Sequence, residues 1–192
     1  QIRRQSKEGE LGGISTVYLG GGTPSHVGMP RLSMLLYTLG LSMRLEPDVE
    51  CTMEANPESL TSSMVRDIWA LGVNRLSIGV QSFDDHVLGI LGRAHDAQGA
   101  KRAIACARER FENVSVDLMC GIPGQSIESF EDSVKTAIEC GVSHVSVYPL
   151  TIEPHTPFDV MVLSGQLAEP DDDVEAEHMQ AAARILSQAG YE

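Results

Sequence analysis

The chain has 192 residues, a formal net charge of −13 and 42% hydrophobic residues. This length predicts roughly one domain, and the composition excludes collagen-like, low-complexity and disordered classes. So acidic a surface disfavours binding to nucleic-acid phosphates, or to a membrane through a basic face. No run reaches the ~18 consecutive apolar residues of a membrane span, and the first residues lead into no signal-peptide hydrophobic region.

Five short runs rich in Val, Ile, Leu and Ser predict β-strands. They are residues 15–20, 49–54, 75–80, 114–119 and 144–148. Between them, apolar residues recur at helical spacing. These sets are Leu32, Leu35, Leu36 and Leu39, then Met64, Ile68, Trp69 and Leu71, then Ala100, Ala103, Ile104 and Ala107, then Phe130, Val134, Ala137 and Ile138. A strand–helix repeat of roughly 30 residues predicts right-handed crossovers and a parallel sheet.

A glycine-rich or polar segment follows every predicted strand. These segments begin at Gly20, Glu54, Gln81, Gly121 and Thr151. In a barrel the carboxyl ends of all strands meet at one mouth, whereas in an open sheet only the ends beside the switch point bind ligands. Five such segments therefore favour a barrel over a doubly wound sheet. Because five strands do not close an eight-stranded barrel, we expect a partial one.

An acidic run begins after Pro170. Its members are Asp171, Asp172, Asp173, Glu175 and Glu177. Acidic residues in a first helical turn complement the positive end of the helix dipole, so this pattern favours a solvated helix start over a metal site. The apolar periodicity that follows comprises Met179, Ala182, Ala183 and Leu186.

The cysteines and histidines form no familiar metal-binding pattern. Cys51, Cys106, Cys120 and Cys140 include no C-x-x-C pair, so we expect buried thiols and a reducing compartment. The six histidines include no H-x-H or H-E-x-x-H pair, which leaves zinc hydrolysis without support. No G-x-S-x-G elbow for serine-hydrolase chemistry occurs.

The first two strand ends each allow two interpretations. Residues 17–24 run from an apolar strand into three glycines, whose bare backbone N–H groups can bind a carboxylate or phosphate. The segment lacks the features of a P-loop or a dinucleotide motif, and a glycine triplet alone is also typical of a turn. Glu54 suits an ammonium group or paired ribose hydroxyls, or it caps the next helix.

Three further polar residues also allow either a ligand-binding or a structural interpretation. Gln81 can donate to and accept from a ligand, or bond to loop backbone. Arg93 is expected to face solvent unless its guanidinium meets a carboxylate. Asp117 lies within an apolar strand, where a buried charge needs a partner, so it is the hardest of the three to explain as structural.

Six motifs, taken together and in order, resemble the radical SAM superfamily. Within it they resemble the family of the oxygen-independent coproporphyrinogen III oxidase HemN and the heme chaperone HemW. The motifs are residues 18–25 (YLGGGTPS), 54–58 (EANPE), 74–83 (NRLSIGVQSF), 91–96 (LGRAHD), 116–125 (VDLMCGIPGQ) and 150–154 (LTIEP). Residues 54–57, 80–83 and 151–154 look more like the HemW branch than like the oxidase.

The resemblance implies an α/β fold, a partial (β/α)6 barrel of the radical SAM type with about five βα units present. It implies S-adenosylmethionine (SAM) and a [4Fe-4S] cluster as cofactors, and heme in the full-length protein. Gly21, Gly22 and Thr23 match the strip that takes the amino end of SAM. Glu54 matches the acid that binds its methionine or ribose portion.

The remaining site residues implied by the resemblance follow the later strands. Gln81, Arg93 and Asp117 match positions that hold SAM in HemN, including a second SAM molecule. Thr151 matches a further second-site position, where the side chain differs. Because each follows or ends a strand in the predicted parallel array, we expect Glu54, Gln81 and Asp117 to share one rim of the barrel, with residues 20–23 beside them.

The resemblance also implies what this chain does not hold. The family's C-x-x-x-C-x-x-C cluster motif precedes the matched region, and none of the four cysteines replaces it by spacing, so we expect no metal ligand here. Cys120 stands where the family usually has Tyr, and His155 where it usually has Gly. We expect a central fragment, with the barrel core in residues 1–168. Residues 169–192 are expected to form an acidic linker and helix that lead to a further C-terminal region.

These features predict a HemW-like, cytoplasmic radical SAM protein of heme metabolism. Its expected partners are SAM, heme or porphyrinogen and a heme-acceptor protein, with no nucleic acid and no integral membrane segment. One alternative is the oxygen-independent coproporphyrinogen III oxidase, which decarboxylates propionates oxidatively to vinyls. Another is a structural βα fragment without a ligand. Whether the full-length protein is an enzyme stays open between the chaperone and the oxidase.

Overall fold

A computed structural model describes residues 12–192. Five strands form one sheet in the order β1-β2-β3-β4-β5, and β2 pairs in parallel with both β1 and β3. The strands are β1 (Gly13–Leu19), β2 (Arg44–Ala55), β3 (Arg75–Gln81), β4 (Asn113–Cys120) and β5 (His144–Pro149). All five strands predicted from the sequence are therefore present, and β2 begins earlier than its apolar run predicted.

Helices follow the strands, as the crossover pattern requires. They are α1 (Met29–Ser42), α2 (Ser62–Ala70), α3 (Asp85–Ile90), α4 (Ala97–Arg108), α5 (Ile127–Glu139), α6 (Pro157–Leu163) and α7 (Asp172–Gln188). The short helices α3 and α6 were not predicted, because neither is long enough to show an apolar period. Each is instead marked by its N-cap, since the Asp84 carboxylate and the Thr156 hydroxyl accept from N–H groups of the first turn.

The chain folds as two compact units. The first unit comprises the described residues up to Gly79 together with Lys101–Ser115, and the second comprises Val80–Ala100 and Val116–Glu192. The first unit buries the apolar faces of α1, α2 and α4 with the inner residues of β2 and β3. The second buries a cluster of Val87, Ile122 and Leu150. Each unit thus has a core of its own.

The buried faces of three helices differ in part from the predicted ones. Leu35 of α1 is 43% exposed and Trp69 of α2 is 50% exposed, although both fit the helical period. On α7 the buried residues are His178, Ala181, Ala182 and Ile185, so the packed face begins one residue before Met179. A hydropathy pattern does not find this register, because the first residue of the stripe is a histidine.

Within residues 12–192, no helix is long and apolar enough to cross a membrane. The acidic run at the start of α7 behaves as expected for a solvated helix start. Asp171 is the N-cap, and its carboxylate accepts from the backbone N–H groups of Asp173 and Val174. Its acidic neighbours in the first turn face solvent or lie half-buried, where they complement the helix dipole.

His178 holds α7 against the end of β4. Its ring is 1% exposed and stacks on Phe130 of α5, with the ring centroids 4.9 Å apart. The backbone N–H of Gly121, just after β4, donates to His178 Nδ1 at 3.2 Å. Because Nδ1 accepts this bond, the neutral ring carries its proton on Nε2. Burial lowers the pKa of His178, and the nearby Glu177 carboxylate opposes that shift only in part.

We predict that His178 makes the free energy of unfolding decrease as the pH is lowered. Because its pKa is lower in the folded than in the unfolded chain, the unfolded chain binds more protons once the pH falls below about 6.5. The contribution of His178 is thus complete above about pH 6.5 and is lost as the pH falls toward the folded pKa. Urea unfolding across this range should show a steeper decline for the natural chain than for His178→Phe.

The His178→Phe control keeps an aromatic ring against Phe130 but removes the titratable group. It leaves the Gly121 N–H without its acceptor, so the variant is expected to be less stable by about 1–3 kcal/mol at neutral pH. Only the difference in pH slope between the two proteins reports on His178, since all other ionisable groups are present in both. Equal slopes in the two proteins would contradict the prediction.

Candidate functional site

The first unit carries the glycine strip directly after β1. Gly21 and Gly22 have φ angles of 78° and 29°, a left-handed conformation that favours glycine. The strip lines one side of a cavity of about 320 Å³, whose other walls are mainly apolar. The lining residues are Leu19, Gly20, Gly21, Gly22, Thr23, Pro24, Val27, Leu32 and Leu35. An L side chain at either left-handed position would be strained, so the backbone here stays bare toward the cavity.

Glu54, near the end of β2, is held against this strip by two hydrogen bonds. The Tyr18 hydroxyl donates to Glu54 Oε1 at 2.8 Å, and the Gly21 backbone N–H donates to Oε2 at 3.1 Å. Gly20 permits this approach, because a Cβ there would lie 2.9 Å from Glu54 Oε1. The first turn of α2 is capped by Thr61 instead, so the helix-cap interpretation of Glu54 finds no support.

Thr23 is tied to the segment after β2. The Asn56 amide donates to Thr23 Oγ1 at 3.1 Å, and the Ser59 hydroxyl donates to Ser25 Oγ at 2.6 Å. Since Thr23 Oγ1 accepts from Asn56, its own O–H remains a donor for another group. The structure therefore brings together four of the predicted site residues, Gly21, Gly22, Thr23 and Glu54.

The second unit contains Gln81, the last residue of β3. Its φ of 69° is unusual for a residue other than glycine, and the residue is 9% exposed. The Tyr148 hydroxyl, on β5, donates to Gln81 Oε1 at 2.7 Å. Gln81, which the sequence marks only as a polar residue at a strand end, is thus buried. Its backbone is strained, and its side chain accepts a hydrogen bond from a tyrosine.

The loop after β3 is fixed by hydroxyl groups. Ser133 Oγ, on α5, accepts from the Phe83 backbone N–H at 3.0 Å and lies 3.3 Å from Ser82 Oγ. Asp84 Oδ2 accepts from the Ser129 hydroxyl at 2.6 Å. This hydroxyl is the main reason that the pKa of Asp84 is lowered, with backbone N–H groups at the start of α3 adding to it. The loop is therefore attached to α5 at two points.

The other predicted site residues also lie in the second unit. Asp117 is half-buried within β4, and Thr151 is exposed just after β5. Arg93 is half-buried rather than facing solvent, and its backbone N–H donates to Leu88 O at 3.0 Å. The backbone N–H of Leu150 donates to Cys120 O at 3.1 Å, which joins the ends of β4 and β5.

The four cysteines lie on or beside four different elements, β2, α4, β4 and α5. Cys51 and Cys120 are buried in β2 and β4, as expected, whereas Cys106 and Cys140 are only partly buried. Burial raises the pKa of the Cys51 thiol, and burial together with the Glu175 carboxylate raises that of Cys120 to about 11. Among residues 12–192, no group of three His, Cys, Asp or Glu side chains could hold a metal ion. The residues that the structure describes therefore do not fit a [4Fe-4S] cluster.

The sequence analysis missed two contacts to the candidate site residues. The Tyr18 hydroxyl donates to Glu54 and the Tyr148 hydroxyl to Gln81, yet both tyrosines lie in strands, where an aromatic residue is ordinary. The sequence carries no local signal for either contact, because each joins residues on different strands. Gly20 was named only as part of the strip, and its close approach to Glu54 shows why glycine stands there.

Comparison with known proteins places the chain in a family. The sequence profile of the radical SAM superfamily matches residues 1–137. The chain belongs to this superfamily. It is 41% identical over 179 residues to the heme chaperone HemW of Mycobacterium tuberculosis, covering 93% of the chain and 46% of that relative. It is 40% identical over 180 residues to the HemW of Escherichia coli, covering 93% of the chain and 47% of that relative.

Among solved structures, the chain is similar to the coproporphyrinogen III oxidase HemN from Escherichia coli, described as a radical SAM enzyme. The TM-score is 0.84 at 27% identity, covering 100% of this chain and 44% of that one. This match confirms the predicted fold class, a partial barrel of the radical SAM type. The chain spans less than half the length of these relatives.

We predict that the 192-residue chain takes up no iron–sulfur cluster. Its cysteines lie on different elements, and burial raises the pKa of two of the thiols, Cys51 and Cys120, which disfavours the thiolate that binds iron. Anaerobic incubation with iron, sulfide and a thiol reductant should leave the visible spectrum without thiolate-to-iron absorbance. Full-length protein treated in parallel is the positive control. A stable absorbance with stoichiometric iron in the 192-residue chain would contradict the prediction.

Proposed function

We propose that the full-length protein is a HemW-like radical SAM protein that binds SAM and a [4Fe-4S] cluster and transfers heme to acceptor proteins. The HemW relatives support the heme function, at 40–41% identity over most of the chain. The observation that carries SAM binding is the Glu54 carboxylate, held beside the bare glycine strip and its cavity. The cytoplasm is the proposed location.

The first unit suits the charged and hydroxyl groups of SAM. A carboxylate has about four acceptor sites, so Glu54 retains two after binding Tyr18 and Gly21. These can accept from an ammonium or from ribose hydroxyls, and the negative charge attracts the sulfonium cation. Thr23 adds an O–H donor, and the apolar walls of the cavity suit uncharged parts of the ligand.

In the second unit we propose that Gln81, Arg93, Asp117 and Thr151 also contact SAM, as the family resemblance implies. The burial of Gln81 supports the proposal for this residue, because a polar group withdrawn from water needs polar partners. SAM supplies the radical chemistry of the superfamily when it is bound beside a reduced cluster. The site residues within the described part of the chain are proposed to bind and orient SAM, since no group of residues there fits the cluster.

The coproporphyrinogen oxidase function is the second candidate, supported by the match to HemN across the entire chain. The two functions make different predictions for the purified full-length protein. A chaperone should bind heme stoichiometrically and pass it to an acceptor hemoprotein, which restores the Soret spectrum of that acceptor. An oxidase should instead convert coproporphyrinogen III to its divinyl product under reducing, anaerobic conditions with SAM. Product formation without heme transfer would contradict the chaperone proposal.

Glu54→Gln tests the SAM site in the full-length protein. The substitution removes the charge and retains the shape of the side chain. Charge-assisted hydrogen bonds contribute about 1.5–3 kcal/mol, so we expect SAM affinity to fall roughly ten- to a hundredfold. Calorimetric titration with SAM measures this change, and a melting curve shows whether the fold is retained.

Glu50→Gln is the matched control, because Glu50 lies on the same strand and its Oε1 accepts from Thr52 Oγ1 rather than from the glycine strip. The control should leave SAM affinity unchanged. If Glu54→Gln lowers the melting temperature but leaves affinity unchanged, Glu54 has a structural role only and the ligand-free alternative gains support.

A further inference from the structure

Gln81 sits in a strained backbone conformation that its surroundings hold in place. A φ of 69° in a residue other than glycine costs free energy, and such residues are retained where neighbouring contacts enforce them. The next residues supply those contacts. The Ser82 backbone N–H donates to Val80 O at 2.9 Å, and the Phe83 N–H donates to Ser133 Oγ at 3.0 Å. These backbone hydrogen bonds therefore fix the direction in which the side chain leaves the Gln81 backbone.

The Tyr148 hydroxyl contacts the amide group at the end of the Gln81 side chain. It donates to Gln81 Oε1 at 2.7 Å, the short distance expected of a good O–H···O bond. An amide is planar, with its acceptor oxygen and its donor nitrogen on opposite sides. Once the oxygen faces Tyr148, the NH₂ group must face away from it. Within residues 12–192, the Gln81 amide makes no other hydrogen bond.

We propose that Tyr148 is a positioning residue, which orients the Gln81 amide so that the site offers N–H donors to its ligand. This inference rests on the proposed function, because it specifies how one residue of the SAM site is prepared. Tyr148 acts through Gln81 and not by contact with the ligand. Loss of its hydroxyl leaves Oε1 without this donor and frees the amide to turn over.

The orientation of the amide selects the ligand group that it can meet. Two N–H donors require an acceptor opposite them, such as a carboxylate oxygen, a hydroxyl oxygen or a ring nitrogen. An ammonium group has donors only and cannot bond there. On SAM this restricts Gln81 to the carboxylate, the ribose oxygens or the adenine nitrogens. The same residue with its amide reversed would present an acceptor to the ligand instead.

The test uses full-length holoprotein and SAM as the probe. Tyr148→Phe removes only the hydroxyl, and we expect SAM affinity to fall about three- to tenfold, the effect of one hydrogen bond. In a Gln81→Ala background the same substitution should change affinity by less than about twofold, because Tyr148 then has no amide to orient. Tyr191→Phe is the matched control, since the Tyr191 hydroxyl donates to Val142 O. It should leave SAM affinity unchanged.

A second measurement needs no ligand. With ¹⁵N-glutamine labelling, the Gln81 side-chain NH₂ signals should be those of a rigid amide in the natural protein and of a mobile one in Tyr148→Phe. Unchanged NH₂ signals, or an equal loss of affinity in the Gln81→Ala background, would overturn the proposal. If the natural protein binds no SAM but the NH₂ signals change as expected, the orientation by Tyr148 holds and the SAM-binding function is wrong.

Discussion

Parallel pairing of β2 with both β1 and β3 is the constraint from which the arrangement of polar groups follows. Parallel strands end at the same edge, so each chain segment that leaves a strand begins there with unpaired backbone groups. The protein satisfies several of these groups with side chains from neighbouring segments. Glu54 accepts from Gly21 N–H, and Ser133 accepts from Phe83 N–H. In each unit, a side chain distant in sequence thus completes the backbone bonding of a segment that follows a strand.

Much of the fold could be predicted from residue patterns, because apolar runs and helical periods are local properties of the sequence. The five strands follow from short runs rich in Val, Ile, Leu and Ser, and the long helices follow from 3.6-residue periods. The face of α7 does not, since its first buried residue is His178, which packs only because Phe130 and Gly121 lie where they do. Interactions between residues far apart in the chain determine which face of such a helix is buried, and a hydropathy pattern does not show these interactions.

The candidate site residues were selected from the sequence in a similar way. Residue type and strand-end position led to Glu54 and Gln81 as candidates, and the family resemblance implied roles for them. The contacts that prepare these residues could not be found in this way. Tyr18 and Tyr148 occupy strand positions that any aromatic residue suits, and only the structure shows that each hydroxyl bonds to a polar side chain on another strand. A tyrosine and a phenylalanine give the same strand pattern, so the sequence does not show whether the tyrosine hydroxyl is needed for a hydrogen bond.

The two tyrosines have opposite chemical consequences. Tyr18 donates to a carboxylate, which has acceptor sites left over, so Glu54 remains an acceptor with a negative charge. Tyr148 donates to an amide, which has one kind of group at each end, so Gln81 is left as a donor. The same phenolic hydroxyl therefore leaves acceptor capacity in one unit and donor capacity in the other. The hydrogen-bonding capacity that Glu54 or Gln81 retains therefore depends on which of its atoms already accepts a hydrogen bond from the tyrosine.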